Sequence, residues 1–146
     1  MGVDVNEVPE SHRGVLDAPF ATLATIGPTG RPQLSTVCFV VDGDAVLLSL
    51  NETRQKTINI LADPRVSVHV TDPSEPGRYV ELRGTATVEP DDDYEFADRL
   101  GTKYGGLDLR RMDAPGEHRL KIVVAVDRAR AVDMSQPGTV GSARDR

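Results

Sequence analysis

Arg54, Lys56 and Thr57 stand within one turn of chain, directly after the apolar run Ala45–Leu50 and Asn51. That run reads as a strand, and Thr53 to Leu61 reads as the start of a short helix. Two cations and a hydroxyl therefore cluster where a strand hands over to a helix N-terminus. Unpaired backbone N–H groups and the positive end of the helix dipole favour an anion at such a point. Arginine supplies a planar fork and lysine a point charge, a combination suited to phosphate. Cations complement the opposite end of a helix, so their place in a first turn calls for an anion from outside. The competing explanation is a pair of solvated cations on an exposed turn, which would contribute little to stability. A polar strip, Gln33, Ser35 and Thr36, lies on a nearby strand, and with no catalytic side-chain group evident, a bound cofactor would carry the chemistry.

The elements that must position these groups are mostly strands. Phe20–Ile26 is a β-branched run closed by the turn Gly27-Pro28-Thr29-Gly30, and Pro32–Val41 returns as its hairpin partner. Asp42-Gly43-Asp44 turns the chain into Ala45–Leu50, which completes a three-strand meander. The helix from Thr53 ends near Ala62, before Asp63-Pro64. Arg65–Thr71 alternates with Val66, Val68 and Val70 inward, and Arg78–Val88 alternates again, with Gly84 suited to a bend or bulge. Pro90-Asp91-Asp92-Asp93 caps a second helix running to about Lys103. Residues 104–117 read as irregular, and His118–Val126 with Arg130–Met134 as one or two closing strands. Pro32–Val41 is apolar on both faces in its second half, so its outer side needs a cover, for which a second subunit is the economical choice. The expected organisation is an N-terminal polar segment with a short helix (1–18), a barrel domain (19–134) and a disordered tail (135–146).

Composition narrows the function. The chain has 146 residues, 38% of them hydrophobic and 27% charged, which suits one globular domain with its own core. A net charge of −6 argues against nucleic acid as a partner, and it makes a local basic cluster harder to dismiss as general decoration. No run reaches a membrane span and no signal peptide opens the chain, so a cytoplasmic protein is expected. Cys38 is the only cysteine, with apolar neighbours that suggest a structural thiol. His12, His69 and His118 are scattered, without metal-ligand spacing, and no metal is expected. No P-loop or dinucleotide fingerprint is present, and no catalytic residue is assigned.

Phe20-Ala21-Thr22-Leu23-Ala24-Thr25, Gly30-Arg31-Pro32-Gln33-Leu34-Ser35, Thr53-Arg54-Gln55-Lys56-Thr57 with Asn59, and Asp63-Pro64-Arg65-Val66 occur in this order. Together they resemble the pyridoxamine 5′-phosphate oxidase-like, flavin-reductase split-barrel superfamily, and within it the actinobacterial branch that uses the deazaflavin coenzyme F420. The resemblance implies a mainly β fold, a six-stranded antiparallel split β-barrel with short flanking helices, assembled as a homodimer with cofactor sites at its interface. It implies that Arg54 and Lys56 grip the cofactor phosphate with Thr57, and that Gln33, Ser35 and Thr36 lie along the ring system. Ser49, Leu50 and Asn51 would add ring and ribityl contacts, and Arg78 and Tyr79 contacts from across the dimer. The activity implied is hydride transfer from reduced F420 to a small electron-poor molecule such as an enone, quinone or nitro compound. FMN is the alternative cofactor, and a non-catalytic cofactor carrier the alternative role. Arg31, Lys103, Arg110, Arg111 and Arg119 are candidates for a groove that would hold the polyglutamate tail of F420.

Overall fold

Where the sequence alternates apolar and polar residues, as in Arg65–Thr71, it forms a strand with the apolar face inward. The computed structural model describes residues 8–135, and the expected tail beyond Ser135 and the first seven residues lie outside them. The strands are β1 (Ala21–Ile26), β2 (Pro32–Val37), β3 (Val40–Asp42), β4 (Ala45–Asn51), β5 (Arg65–Thr71), β6 (Arg78–Pro90) and β7 (Arg119–Asp133). The helices are α1 (Glu10–Arg13), α2 (Gln55–Ala62) and α3 (Glu95–Thr102), with short 3-10 turns at Gly14–Asp17 and Leu109–Met112. All strand pairs are antiparallel, in the order β2-β1-β5-β6-β7-β4-β3.

That order contains the reason for the barrel. β2 and β3 are the two ends of the sheet, yet only Cys38 and Phe39 separate them in the chain. Two residues cannot span a flat seven-stranded sheet, so the sheet curls until its edges meet. The expected strand Pro32–Val41 is thus two strands, which makes seven where six were expected. The meander also fails as drawn, because β2 pairs with β1 and β3 with β4, while β2 and β4 do not pair. Phe39, fully buried at the seam, directs the crossing.

Two further differences concern strand ends. The closing strand is continuous, and what reads in the sequence as a gap near Asp127 is a bulge: Gly84 pairs with Val126 and Arg83 with Arg128, so Asp127 is the extra residue. A Cβ on Gly84 would lie 2.2 Å from the Ala125 carbonyl oxygen, which explains glycine there. The outer face at Cys38 and Val40 is covered from within the chain: both pack on a small cluster of Leu47, Phe96, Ala97, Leu100 and Leu109 beneath α3. The main core fills the barrel with Leu23, Phe39, Leu48, Val68, Leu82, Ile122 and Val124, and Val8, Val15 and Ala18 of the amino-terminal segment join it.

Candidate functional site

The end of β4 and the first turn of α2 open onto a cavity of about 180 Å³. Its lining combines Thr36, Ser49, Asn51, Arg54, Lys56 and Arg119 with an apolar wall that includes Leu50, Leu100, Leu109 and Met112. Arg54 and Lys56 form no salt bridge among the described residues. Burial, and then the charge of Arg54, holds the Lys56 ammonium below the usual lysine range. Each of these two cations therefore lacks an internal carboxylate within pairing distance. The hydroxyl of Ser49 lines the same cavity and, though buried, makes no hydrogen bond. A buried hydroxyl left unpaired is costly unless a ligand supplies its partner.

Asn51 organises the rear of the cavity. Its Nδ2 donates to Asp113 Oδ1 at 2.7 Å and to Glu117 Oε1 at 2.9 Å. Its Oδ1 accepts from Thr53 N at 2.8 Å and from Thr53 Oγ1 at 2.6 Å, while its backbone carbonyl accepts from Thr57 Oγ1 at 2.7 Å. One residue thus joins the last strand position, the turn into α2 and the segment 113–117. Asp113 also receives Arg119 Nε at 3.1 Å and Tyr94 Oη at 2.7 Å, and Arg119 Nη2 reaches its Oδ1. Burial would raise the Asp113 carboxyl, but hydrogen bonds from Arg119, Tyr94 and Asn51 hold it below the usual range. Tyr94 takes a left-handed backbone conformation, φ 60°, just before α3 and makes the contact to Asp113.

A family model described as pyridoxamine 5′-phosphate oxidase matches residues 8–133 of the chain. The chain belongs to the pyridoxamine 5′-phosphate oxidase family. Among solved structures of this fold, an F420 reductase is 34% identical, with a TM-score of 0.74 over 84% of this chain and 98% of that one. The conserved hypothetical protein Rv2991 from Mycobacterium tuberculosis is 24% identical, with a TM-score of 0.68 over 91% of this chain and 92% of that one, a likeness of fold alone. A heme-binding protein from Mycobacterium smegmatis is 25% identical, with a TM-score of 0.66 over 92% of this chain and 58% of that one.

In this member of the pyridoxamine 5′-phosphate oxidase family, the residues singled out in the sequence divide into three groups. Thr36, Ser49, Leu50, Asn51, Arg54 and Lys56 meet at the cavity. Thr57, Gln33 and Ser35 are not among the residues that line it. Thr57 is fully buried with its hydroxyl on Asn51, and Gln33 Oε1 accepts from Asn59 Nδ2 at 3.0 Å. The Ser35 hydroxyl is buried without a partner. Arg78 and Tyr79 belong to a different region. Arg78 pairs with Glu75 and Asp133, each at 3.3 Å, and Tyr79 lies against the His69 ring at 4.8 Å. Of the five candidates for a tail groove, Arg119 lines the cavity, and Arg110 and Arg111 lie in the 3-10 turn between its lining residues Leu109 and Met112. Arg110 pairs with Asp98 at 2.7 Å, Lys103 donates to the Phe39 carbonyl at 2.8 Å, and Arg119 is buried on Asp113. Arg31 and Arg111 are exposed.

Sequence reasoning missed the apolar wall and the carboxylates behind it. Leu109, Met112, Asp113 and Glu117 come from a stretch with no periodic pattern, so only the chain's path brings them to the site. A signal was available in Asp108, whose carboxylate accepts from Arg110 N at 3.1 Å and caps the 3-10 turn that carries Leu109. Among the described residues no group of three His, Cys, Asp or Glu side chains could hold a metal ion, and no helix is long and apolar enough to cross a membrane.

Proposed function

We propose that the protein is an oxidoreductase that holds coenzyme F420 in the Arg54–Lys56 cavity and serves hydride transfer to a small electron-poor organic substrate. The observation that supports this best is the pair of cations with no internal salt bridge, lining one cavity with the orphaned Ser49 hydroxyl. Arg54 and Lys56 would hold the phosphate, and Ser49 and Thr36 would offer hydrogen bonds to the polar edge of the bound molecule. Thr57 would act through Asn51, fixing the turn that aims the two cations. Gln33 and Ser35 would continue the polar strip along the ring. Leu50, Leu100, Leu109 and Met112 would keep water from the reacting face, where ordered water would compete with substrate. Bound F420 supplies the hydride itself. Arg78 and Tyr79 enter this reading as contributions from a second protomer of a homodimer, a soluble assembly in the cytoplasm.

The 34% identical F420 reductase favours F420 over FMN. FMN is the second reading, because a phosphate grip of this type serves any flavin-like cofactor. The test is a titration of apo-protein with F420 and with FMN by fluorescence quenching, followed by assays with quinone, enone and nitro acceptors. F420 binding with turnover is expected. Tight FMN binding without F420 binding would replace the first reading with the second, and F420 binding without turnover on any acceptor would make the protein a carrier. Arg54→Ala combined with Lys56→Ala should cost roughly 3–6 kcal/mol of cofactor affinity, at about 1.5–3 kcal/mol for each charge-assisted contact. Normal binding by that double variant would remove the phosphate assignment.

A further inference from the structure

We infer that Glu117 sets the net charge of the phosphate grip, so that the cavity selects a singly charged phosphodiester over a doubly charged phosphate monoester. The inference rests on the assignment of a phosphate-bearing cofactor to the Arg54–Lys56 cavity. Three cations line that cavity: Arg54, Lys56 and Arg119. Two carboxylates stand directly behind it, tied together by the Asn51 amide, which donates to Asp113 at 2.7 Å and to Glu117 at 2.9 Å. Asp113 and Arg119 form a buried pair and cancel. Glu117 is fixed by Ala114 N, which donates to its Oε1 at 2.8 Å, and it forms no salt bridge among the described residues. The Ala114 N–H and the Asn51 amide hold its carboxyl below the usual range, with smaller help from Thr53 and the charge of Arg54. Glu52 turns its own carboxylate to the backbone N–H of His118 at 3.2 Å.

Arg54 and Lys56 line the cavity with the Glu117 carboxylate behind them, one negative charge set against two positive. A phosphodiester, with one negative charge, suits this partly offset pair. A phosphate monoester carries about 1.5 to 2 negative charges at pH 7, and its excess would face Glu117 across a partly desolvated site. Coenzyme F420 carries its phosphate as a diester, and FMN ends in a monoester. The same two cations would thus grip either cofactor, while the carboxylate behind them decides between the two.

The experiment titrates wild type, Glu117→Gln and Glu117→Asp with F420, FMN and phosphate-free riboflavin. Glutamine keeps an oxygen that can accept from both Ala114 and Asn51, so the segment stays in place, which an unchanged Tm will confirm. Glu117→Gln should tighten FMN about tenfold and F420 by less than threefold, leave riboflavin as it was, and so move the FMN-to-F420 affinity ratio. Glu117→Asp, which keeps the charge, should leave the ratio near that of wild type. An unchanged ratio in Glu117→Gln overturns the inference even where F420 binds tightly and the cofactor assignment stands. Failure of all three proteins to bind either phosphate-bearing cofactor overturns the assignment and the inference with it.

Discussion

At the scale of single residues, the candidate site gathers groups left without partners among the described residues. Lys56 sits half-buried beside Arg54, and burial followed by that like charge lowers its pKa. A bound phosphate would raise it again. Cofactor affinity should therefore be full at neutral pH and decline as pH rises through the lowered value, earlier than for an ordinary lysine. Lys56→Arg keeps its charge throughout and should abolish the alkaline decline, which binding titrations between neutral and alkaline pH will read. Cys38 shows the contrary logic. Its thiol lies on the cavity wall, but burial pushes its pKa up, against a hydrogen bond from Tyr104 and the charge of Lys103. It is a wall, not a nucleophile. Tyr104 itself is pushed up to about 12 by burial, and its hydroxyl ties Phe39 to Pro19.

At the scale of elements, the site depends on how strands and helices end. The Asp91 carboxylate accepts from Phe96 N at 3.0 Å and from Ala97 N at 2.9 Å, so it caps α3 from outside the helix. α3 carries Leu100 to the cavity. Asp91→Ala should cost about 1–2 kcal/mol of stability in denaturant titration and loosen the apolar wall, weakening cofactor binding as well. The bulge at Gly84 makes a sharper demand. Gly84→Ala would place a methyl 2.2 Å from a backbone oxygen of β7, and the two longest strands would have to separate locally. A loss of roughly 3 kcal/mol is expected, read from the urea midpoint at constant m. The acidic cap and the bulge glycine were both legible in the sequence, because each is a local requirement of the backbone. The continuity of β7 across Asp127 was not, since a bulge and a chain break leave the same polar interruption.

At the scale of the whole molecule, the buried network around Asp113 locks the segment 113–119 to the barrel. Asp113 and Arg119 side chains are 3% and 4% exposed, so removing one charge strands the other. Asp113→Asn should cost about 3–5 kcal/mol, whereas replacing both residues by Leu and Met should cost less. The Asp113 pKa is lowered in the fold, so its contribution is present above the ordinary carboxylate value of 3.8 and is lost as pH falls through the folded value. Thermal melts from pH 7 downward should accordingly show a shallower acid limb for Asp113→Asn than for wild type.

The amino-acid sequence by itself determined the strand-rich class, the alternation of β5 and β6, the turn at Thr53–Lys56 and the family of folds that such motifs resemble. Periodicity and turn chemistry are local, and local preferences survive into the fold with little change. Tertiary structure alone decided which faces met. The seam at Cys38–Phe39 exists because the two ends of a curled sheet must join, and no run of ten residues carries that information. Leu109, Met112, Asp113 and the carboxylate of Glu117 reach the site from a stretch without pattern, where Asn51, Tyr94 and Arg119 hold the two carboxylates. The proposed phosphate grip is written in two cations with only Gln55 between them; the carboxylates behind them come from about sixty positions away, and only the folded barrel brings these within hydrogen-bonding distance of Asn51.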